Sequence, residues 1–332
     1  MKILVTGADG YIGCLLGPYL MDRGHDVIGV DSGYYREGTL YNSGSGRSPE
    51  LLTRDIRNLT VEDLRGFNAV AHLAELSNDP LGQLNPTITY EINHLGSVEL
   101  AKKCIEAGVT RFVYTSSCSA YGIGTDDFKT EESEPNPQTA YAECKVYVER
   151  DVSALAGDNF SPTFLRNATA YGTSPRQRFD VVLNNLAGFA WTIREIRMTS
   201  DGTPWRPLVH VLDICQAIAC SFEAPRDLVH GEIFNVGHTD HNYRVREIAE
   251  IVAGAFPGCH LSIGDSGGDN RSYRVSFDKI AEKLPGFEIK WDAAAGAEQF
   301  LKLFERIQMS AETFEFRAFT RLKQLEHLIR TS

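Results

Sequence analysis

The sequence predicts an α/β fold, a doubly wound parallel sheet with a smaller, interleaved α/β lobe, and three observations carry that prediction. Short apolar runs alternate with helix-like stretches over the first half of the chain, and a glycine-rich turn joins the first run to the first helix. At 332 residues the chain also exceeds the roughly 250–300 that one hydrophobic core serves, so a second lobe is expected.

The runs read as strands lie at 3–5, 27–30, 69–73, 111–115 and 163–165, each short and rich in Val, Ile, Leu or Phe. Between them the patterning predicts helices over 11–23, 88–107 and 139–155, the second carrying Ile92, Leu95, Leu100 and Ile105. After Tyr171 and Gly172 the rhythm breaks into Pro175, Arg176, Arg178 and the pair Asn184 and Asn185. Residues 209–211 and 233–236 then read as strands returning to the main sheet, followed by a helix over 246–255, a loop at 264–268 and terminal helices over 298–307 and 316–329. The expected division is therefore 1–172 with 208–238 as a dinucleotide-binding domain, and 173–207 with 239–332 as a substrate lobe.

Composition narrows the function classes. A net charge of −11 argues against non-specific nucleic-acid binding, which needs Lys and Arg against phosphates. No stretch approaches the roughly 20 apolar residues that span a bilayer, so no membrane partner is expected. The seven cysteines are scattered without a C-x-x-C pair, which fits neither a disulfide framework nor a metal site. With a strand starting at Lys2 in place of a leader, a cytoplasmic location is expected.

Gly7, Gly10 and Gly13, in Thr6-Gly7-Ala8-Asp9-Gly10-Tyr11-Ile12-Gly13, stand between the first strand and the first helix, where backbone must crowd a pyrophosphate. Asp31 ends the second strand, where a carboxylate can bond the adenosine ribose hydroxyls and would repel a 2′-phosphate; NAD is thus the expected cofactor. Tyr141 and Lys145 fall at i and i+4 of a predicted helix and emerge on one face. A phenol near its reference pKa of about 10 is a poor base, but a neighbouring ammonium favours its ionised form.

The T-G-x-x-G-x-x-G turn resembles that of the extended short-chain dehydrogenase/reductase family, and further matches follow in the family's order over about residues 1–290. The resemblance implies a Rossmann-type fold binding NAD through Gly7, Gly10, Tyr11, Ile12, Gly13, Asp31, Asp55, Ile56, Leu73, Ala74 and Asn93, with Tyr141 and Lys145 also meeting the cofactor. Tyr114 to Gly122 is similar to the family's S-S-x-x-V-Y-G block, which implies Ser117 as the catalytic hydroxyl beside Tyr141 and Lys145. Such enzymes oxidise a nucleotide-linked sugar transiently at C4. Dehydratases of the family carry Asp and Glu directly after that hydroxyl, and here Cys118 and Ser119 stand there. C4 epimerisation and simple C4 oxidoreduction survive the comparison, and a reactive Cys118 would point to proton exchange at C3 or C5 or to an atypical dehydratase. Glu75 replaces a small residue common in the family.

Arg206, in Trp205-Arg206-Pro207-Leu208-Val209-His210-Val211, resembles the family's arginine for the substrate pyrophosphate; Asn185 and Arg271 match further substrate-binding positions. The resemblance thus implies an NAD-dependent nucleotide-sugar epimerase, with a 4-dehydrogenase or 4-ketoreductase and a non-catalytic NAD-binding sensor as alternatives. A homodimer through helices 88–107 and 139–155 is implied as well.

Overall fold

The structure, a computed structural model, describes residues 1–42, 47–77, 79–124, 127–265 and 272–331, with residue 81 described by its backbone alone. Seven parallel strands form the main sheet in the order Ile233–Val236, Ser161–Asn167, Arg111–Ser117, Ala69–His72, Lys2–Thr6, Asp26–Asp31 and Glu50–Thr53. The central strands are buried on both sides, and each reads as the continuous apolar run that such burial requires. Lys2–Thr6 pairs with Asp26–Asp31 on one side and Ala69–His72 on the other, so the strand order reverses there. A crevice opens beyond the carboxyl ends of strands at such a reversal.

Helices cover both faces. Gly13–Asp22 and Val211–Glu223 pack on one, through Leu16, Leu20, Ile214 and Ile218. Ser97–Ala107 and Ala140–Ser153 pack on the other, through Leu100, Cys104, Val148 and Val152. A separate aromatic core gathers Phe179, Phe256, Phe300, Phe304 and Phe314 with Leu183 and Ile248.

Three expectations are corrected. Residues 209–211 do not return to the main sheet: the strand is Trp205–His210, and it lies in a three-stranded sheet with Thr169–Tyr171 and Asn242–Arg244. The chain leaving the main sheet after Asn167 continues as Thr169–Tyr171 and takes Leu208, Val209 and His210 as its parallel partners. Val211 instead opens a helix, with His210 Nδ1 accepting from Leu212 N at 3.2 Å.

The single helix expected over 88–107 is three pieces, Pro86–Thr89, a wide π-helical stretch Tyr90–Gly96, and Ser97–Ala107. The wide turn rotates the later residues, so Leu100 is buried while Leu95 and Ile105 face outward. The strand Glu50–Thr53 was not expected, because all four of its residues are exposed and pairing with Asp26–Asp31 alone holds it extended. The predicted loop at 264–268 lies only partly within the described residues.

Candidate active site

A cleft of about 780 Å³ occupies the crevice beyond the strand reversal, and the glycine turn, the helix Ala140–Ser153 and the segment 178–185 all line it. Gly7 turns the chain with φ +70, and its N–H donates to Val30 O at 2.8 Å. A Cβ on Gly13 would lie 2.1 Å from the Gly7 carbonyl, so a side chain there would close the turn. That cradle fits a pyrophosphate at the start of helix Gly13–Asp22. Asp31 lines the same end, its Oδ1 accepting from Gly33 N at 2.7 Å and its Oδ2 from Asp9 N at 3.1 Å. Burial raises its carboxyl above the ordinary range, and these two N–H groups pull it back.

Ile12, Asp55, Ile56, Leu73 and Ala74 also line the cleft, and three of the expected cofactor residues carry hydrogen bonds or an ion pair within the protein. The Tyr11 hydroxyl donates to Gly172 O at 2.7 Å and accepts from Asn184 Nδ2, and Tyr11 lines the cleft. Asn93 is fully buried; its Oδ1 accepts from Leu76 N at 2.8 Å and its Nδ2 donates to Leu76 O at 3.0 Å. Asn93 therefore clamps the loop after Ala69–His72. The Asp55 carboxylate is held by Arg57 at 2.8 Å, which keeps its pKa below the usual range.

The strand Arg111–Ser117 ends at the cleft, and Ser117 caps the turn Cys118–Tyr121, its Oγ accepting from Ser119 N at 3.1 Å. That bond uses a lone pair and not the hydroxyl proton. Thr139 caps the helix Ala140–Ser153 by accepting from Ala142 N at 3.2 Å, and the helical repeat puts Tyr141, Lys145 and Glu149 on one stripe. Lys145 Nζ donates to Thr115 O at 2.5 Å and lies 5.3 Å from the centre of the Tyr141 ring. Ser117, Tyr141 and Lys145 thus line one cleft.

Glu75, unassigned in the sequence, lines it too, with its side chain 2% exposed, paired with Lys145 Nζ and accepting from the Tyr114 hydroxyl. Burial pushes the Tyr141 phenol up, Lys145 pulls it down, and Glu75 pushes it up again. The expected lowering by the ammonium is therefore present and opposed. Burial works against the Lys145 ammonium itself, but Glu75 and Tyr141 outweigh it and hold the lysine protonated.

Cys118 is corrected outright as a catalytic candidate. It is 1% exposed within the main core, its Sγ donates to Arg166 O at 3.1 Å, and burial pushes the thiol up, away from the nucleophilic thiolate. Behind it Arg166 pairs with Glu149 at 2.6 Å, and Ser116 donates to the same carboxylate.

On the facing wall Asn185 donates to Phe179 O at 2.9 Å and Arg206 donates to Trp205 O at 2.8 Å, and both line the cleft. Arg271 lies outside the described residues. Sequence reasoning missed Arg321, which reaches the cleft from the far C-terminal helix and is 3% exposed. Arg178 pairs with Asp180 at 2.8 Å, and Asp180 also accepts from Arg321 N at 3.1 Å. Burial and then Arg178 lower the Arg321 guanidinium to about 10.

Among the described residues no helix is long and apolar enough to cross a membrane, and no three His, Cys, Asp or Glu side chains gather as a metal site.

The sheet, with its glycine turn at the strand reversal, defines an NAD-dependent enzyme of the extended short-chain dehydrogenase/reductase class, with NAD as its cofactor. The sequence model of the NAD dependent epimerase/dehydratase family matches residues 3–237, and the chain belongs to that family. It is similar to the UDP-glucose 4-epimerase of Mycolicibacterium smegmatis, 31% identical over 274 residues, or 77% of this chain and 82% of that one. The UDP-glucose 4-epimerase of Corynebacterium glutamicum is 27% identical over 270 residues, 76% of this chain and 79% of that one. Among solved structures, MoeE5 in complex with UDP-glucuronic acid and NAD superposes with a TM-score of 0.78 at 27% identity, covering 92% of this chain and 99% of that one.

Proposed function

We propose that this chain is a nucleotide-sugar epimerase acting at C4 through a transient 4-keto sugar. The observation that carries the reading is the meeting of Ser117, Tyr141 and Lys145 in one cleft whose positions 118 and 119 hold no carboxylate. NAD, when bound, would supply the hydride acceptor and donor for the sugar carbon. Tyr141 takes the proton of the C4 hydroxyl as that hydride leaves and gives it back to the ketone oxygen. Ser117 bonds the same oxygen and holds it in line. Lys145 keeps positive charge beside the phenol and would hold the nicotinamide ribose.

Residues 1–172 with 208–238 hold the cofactor in this reading, and 173–207 with 239–332 hold the nucleotide sugar. Arg206 and Asn185 take the pyrophosphate, with Arg271 as a second guanidinium. The buried surplus of positive charge at Arg178 and Arg321 supports an anionic substrate, since a dianion entering there relieves like-charge repulsion. Relatives named UDP-glucose 4-epimerase support UDP-glucose as the first substrate to try. Leu95, 57% exposed, and Ile88 and Ile105 support a homodimer through this helical face. Elution at the monomer mass in size exclusion would remove it.

The test is mass spectrometry and sugar analysis after incubation with a panel of nucleotide sugars. Unchanged mass with an inverted C4 is expected. Loss of water would mean dehydration, and stoichiometric consumption of NAD with loss of two hydrogens would mean net 4-oxidation; either overturns the epimerase.

A further inference from the structure

Lys145 is held in place by two groups, the Thr115 carbonyl and the Glu75 carboxylate. A buried ammonium accepts such a partner because it leaves no uncompensated charge in the wall, but the same carboxylate acts on everything the lysine acts on. Besides Glu75, the groups that bear on this lysine or on the Tyr141 phenol come from five elements. They are Tyr141, Cys144 and Lys145 on the helix Ala140–Ser153, Tyr114 and His72 on neighbouring strands, Asp79 on the helix Asp79–Leu84, and Arg178 on the facing segment. Glu149, on the same helix, is engaged by Arg166 and Ser116.

Arg178 is engaged by Asp180, and Asp79 accepts from the Thr139 hydroxyl at 2.5 Å. His72 is locked as a neutral ring between Thr6 Oγ1 at 2.7 Å and Ser97 Oγ at 2.8 Å. Glu75 is therefore the carboxylate committed to Lys145, and Tyr114 orients it by donating its hydroxyl. The backbone of Leu73 and Ala74, in the turn after Ala69–His72, lies against Gly7, and the Glu75 side chain beyond it lines the cleft while only 2% exposed.

We propose that Glu75 is a positioning residue for the proton-handling pair. It fixes the Lys145 ammonium beneath Tyr141, and its charge cancels part of the pull that this ammonium exerts on the phenol. The working pH window is thereby set by Glu75 together with Tyr141. The inference rests on reading Tyr141 as the acid–base group, and it gives Glu75 a purpose beyond filling space.

Glu75→Gln keeps the shape and the acceptor for Tyr114 while removing the charge, and Glu75→Asp keeps the charge and withdraws it by one methylene. Two readouts are taken on the full-length protein: the pH profile of kcat with UDP-glucose, and an ultraviolet difference titration of the phenol, obtained by subtracting the Tyr141→Phe protein. In Glu75→Gln the paired groups lose their proton more easily, so the rising limb of the profile and the phenol titration both move to lower pH. Glu75→Asp moves them part of the way. Superimposable limbs and titrations in the parent and Glu75→Gln, even with a reduced kcat, would overturn the proposal and leave Glu75 as packing.

The titration needs no turnover, so it decides the matter if UDP-glucose is not the substrate. If Glu75→Gln does not fold, the parent and Glu75→Asp carry the comparison. Turnover retained by Tyr141→Phe would instead remove the acid–base reading of Tyr141, an outcome distinct from a failure of Glu75.

Discussion

On the sheet wall of the cleft the buried charges come in pairs, Lys145 with Glu75 and Arg166 with Glu149, each pair a few per cent exposed. On the facing wall, among the described residues, Arg178 pairs with the Asp180 carboxylate, which also accepts from the Arg321 backbone N–H, and Arg206 lies further along the same cleft. The first arrangement is close to neutral and fixes which groups carry protons. The second brings two buried guanidinium groups together beside one carboxylate, and burial and then Arg178 lower the Arg321 guanidinium. In the proposed reading one wall moves protons and the other holds a charged substrate, and substitutions on the two should then fail in different ways.

The strongest way to break that contrast is Tyr141→Phe on the sheet wall. Removal of a general acid–base group lowers kcat by about 10²–10⁴-fold, while calorimetry of NAD binding should give an affinity close to the parent's. Comparable losses in kcat and in NAD affinity would mean that the phenol holds the cofactor and does not handle a proton. Next in size is Glu149→Gln, which leaves Arg166 buried without its carboxylate. Removing one partner of a buried pair costs about 3–5 kcal/mol, read as the drop in unfolding free energy in urea. A change under about 1 kcal/mol would show that Tyr121, which accepts from Arg166 Nη1 at 3.0 Å, is partner enough.

These two residues also mark the limits of reading the chain as a sequence. Tyr141 and Lys145 were legible because one helical turn separates them and the spacing alone puts them on one face. Glu149 continues that stripe, yet its partner Arg166 sits on a strand and only the sheet brings them together. The central strands were legible from their apolar runs; the edge strand Glu50–Thr53 was not, since its partner supplies the order that its side chains do not.

Asn93 was placed at the cofactor by its order in the chain, whereas its amide is spent on both backbone groups of Leu76, a bond that no spacing rule foretells. Arg321 could not be seen at all. It meets Arg178 at Asp180 from more than 140 residues further along the chain, and its sequence signal is no more than a basic residue opening a terminal helix.

The facing wall is sharpened by Arg206→Ala. A charged hydrogen bond to phosphate is worth about 1.5–3 kcal/mol, so kcat/KM for UDP-glucose should fall roughly ten- to hundredfold, chiefly through KM. Stability in urea should stay within about 0.5 kcal/mol, because the side chain is half-buried and outside the two main cores. A loss confined to kcat would move Arg206 from the holding wall to the chemical one.

The smallest effect is expected at Cys118, where the two walls' logic makes opposite claims about a single atom. A thiol working at C3 or C5 of the sugar would have to be ionised and reach the cleft, but Cys118 is buried behind Ser117 with its proton directed at the Arg166 carbonyl. Cys118→Ala therefore removes one weak hydrogen bond and leaves a space the size of a sulfur. The expected cost is about 1 kcal/mol in stability and less than a twofold change in kcat. Deuterium exchange from solvent into the sugar ring is the discriminating measurement, because the C4 hydride never leaves the bound cofactor–sugar pair during epimerisation. Parent enzyme that incorporates deuterium at C3 or C5, and loses that incorporation with Cys118→Ala, would show that the core thiol reaches the cleft during turnover and that the sheet wall opens.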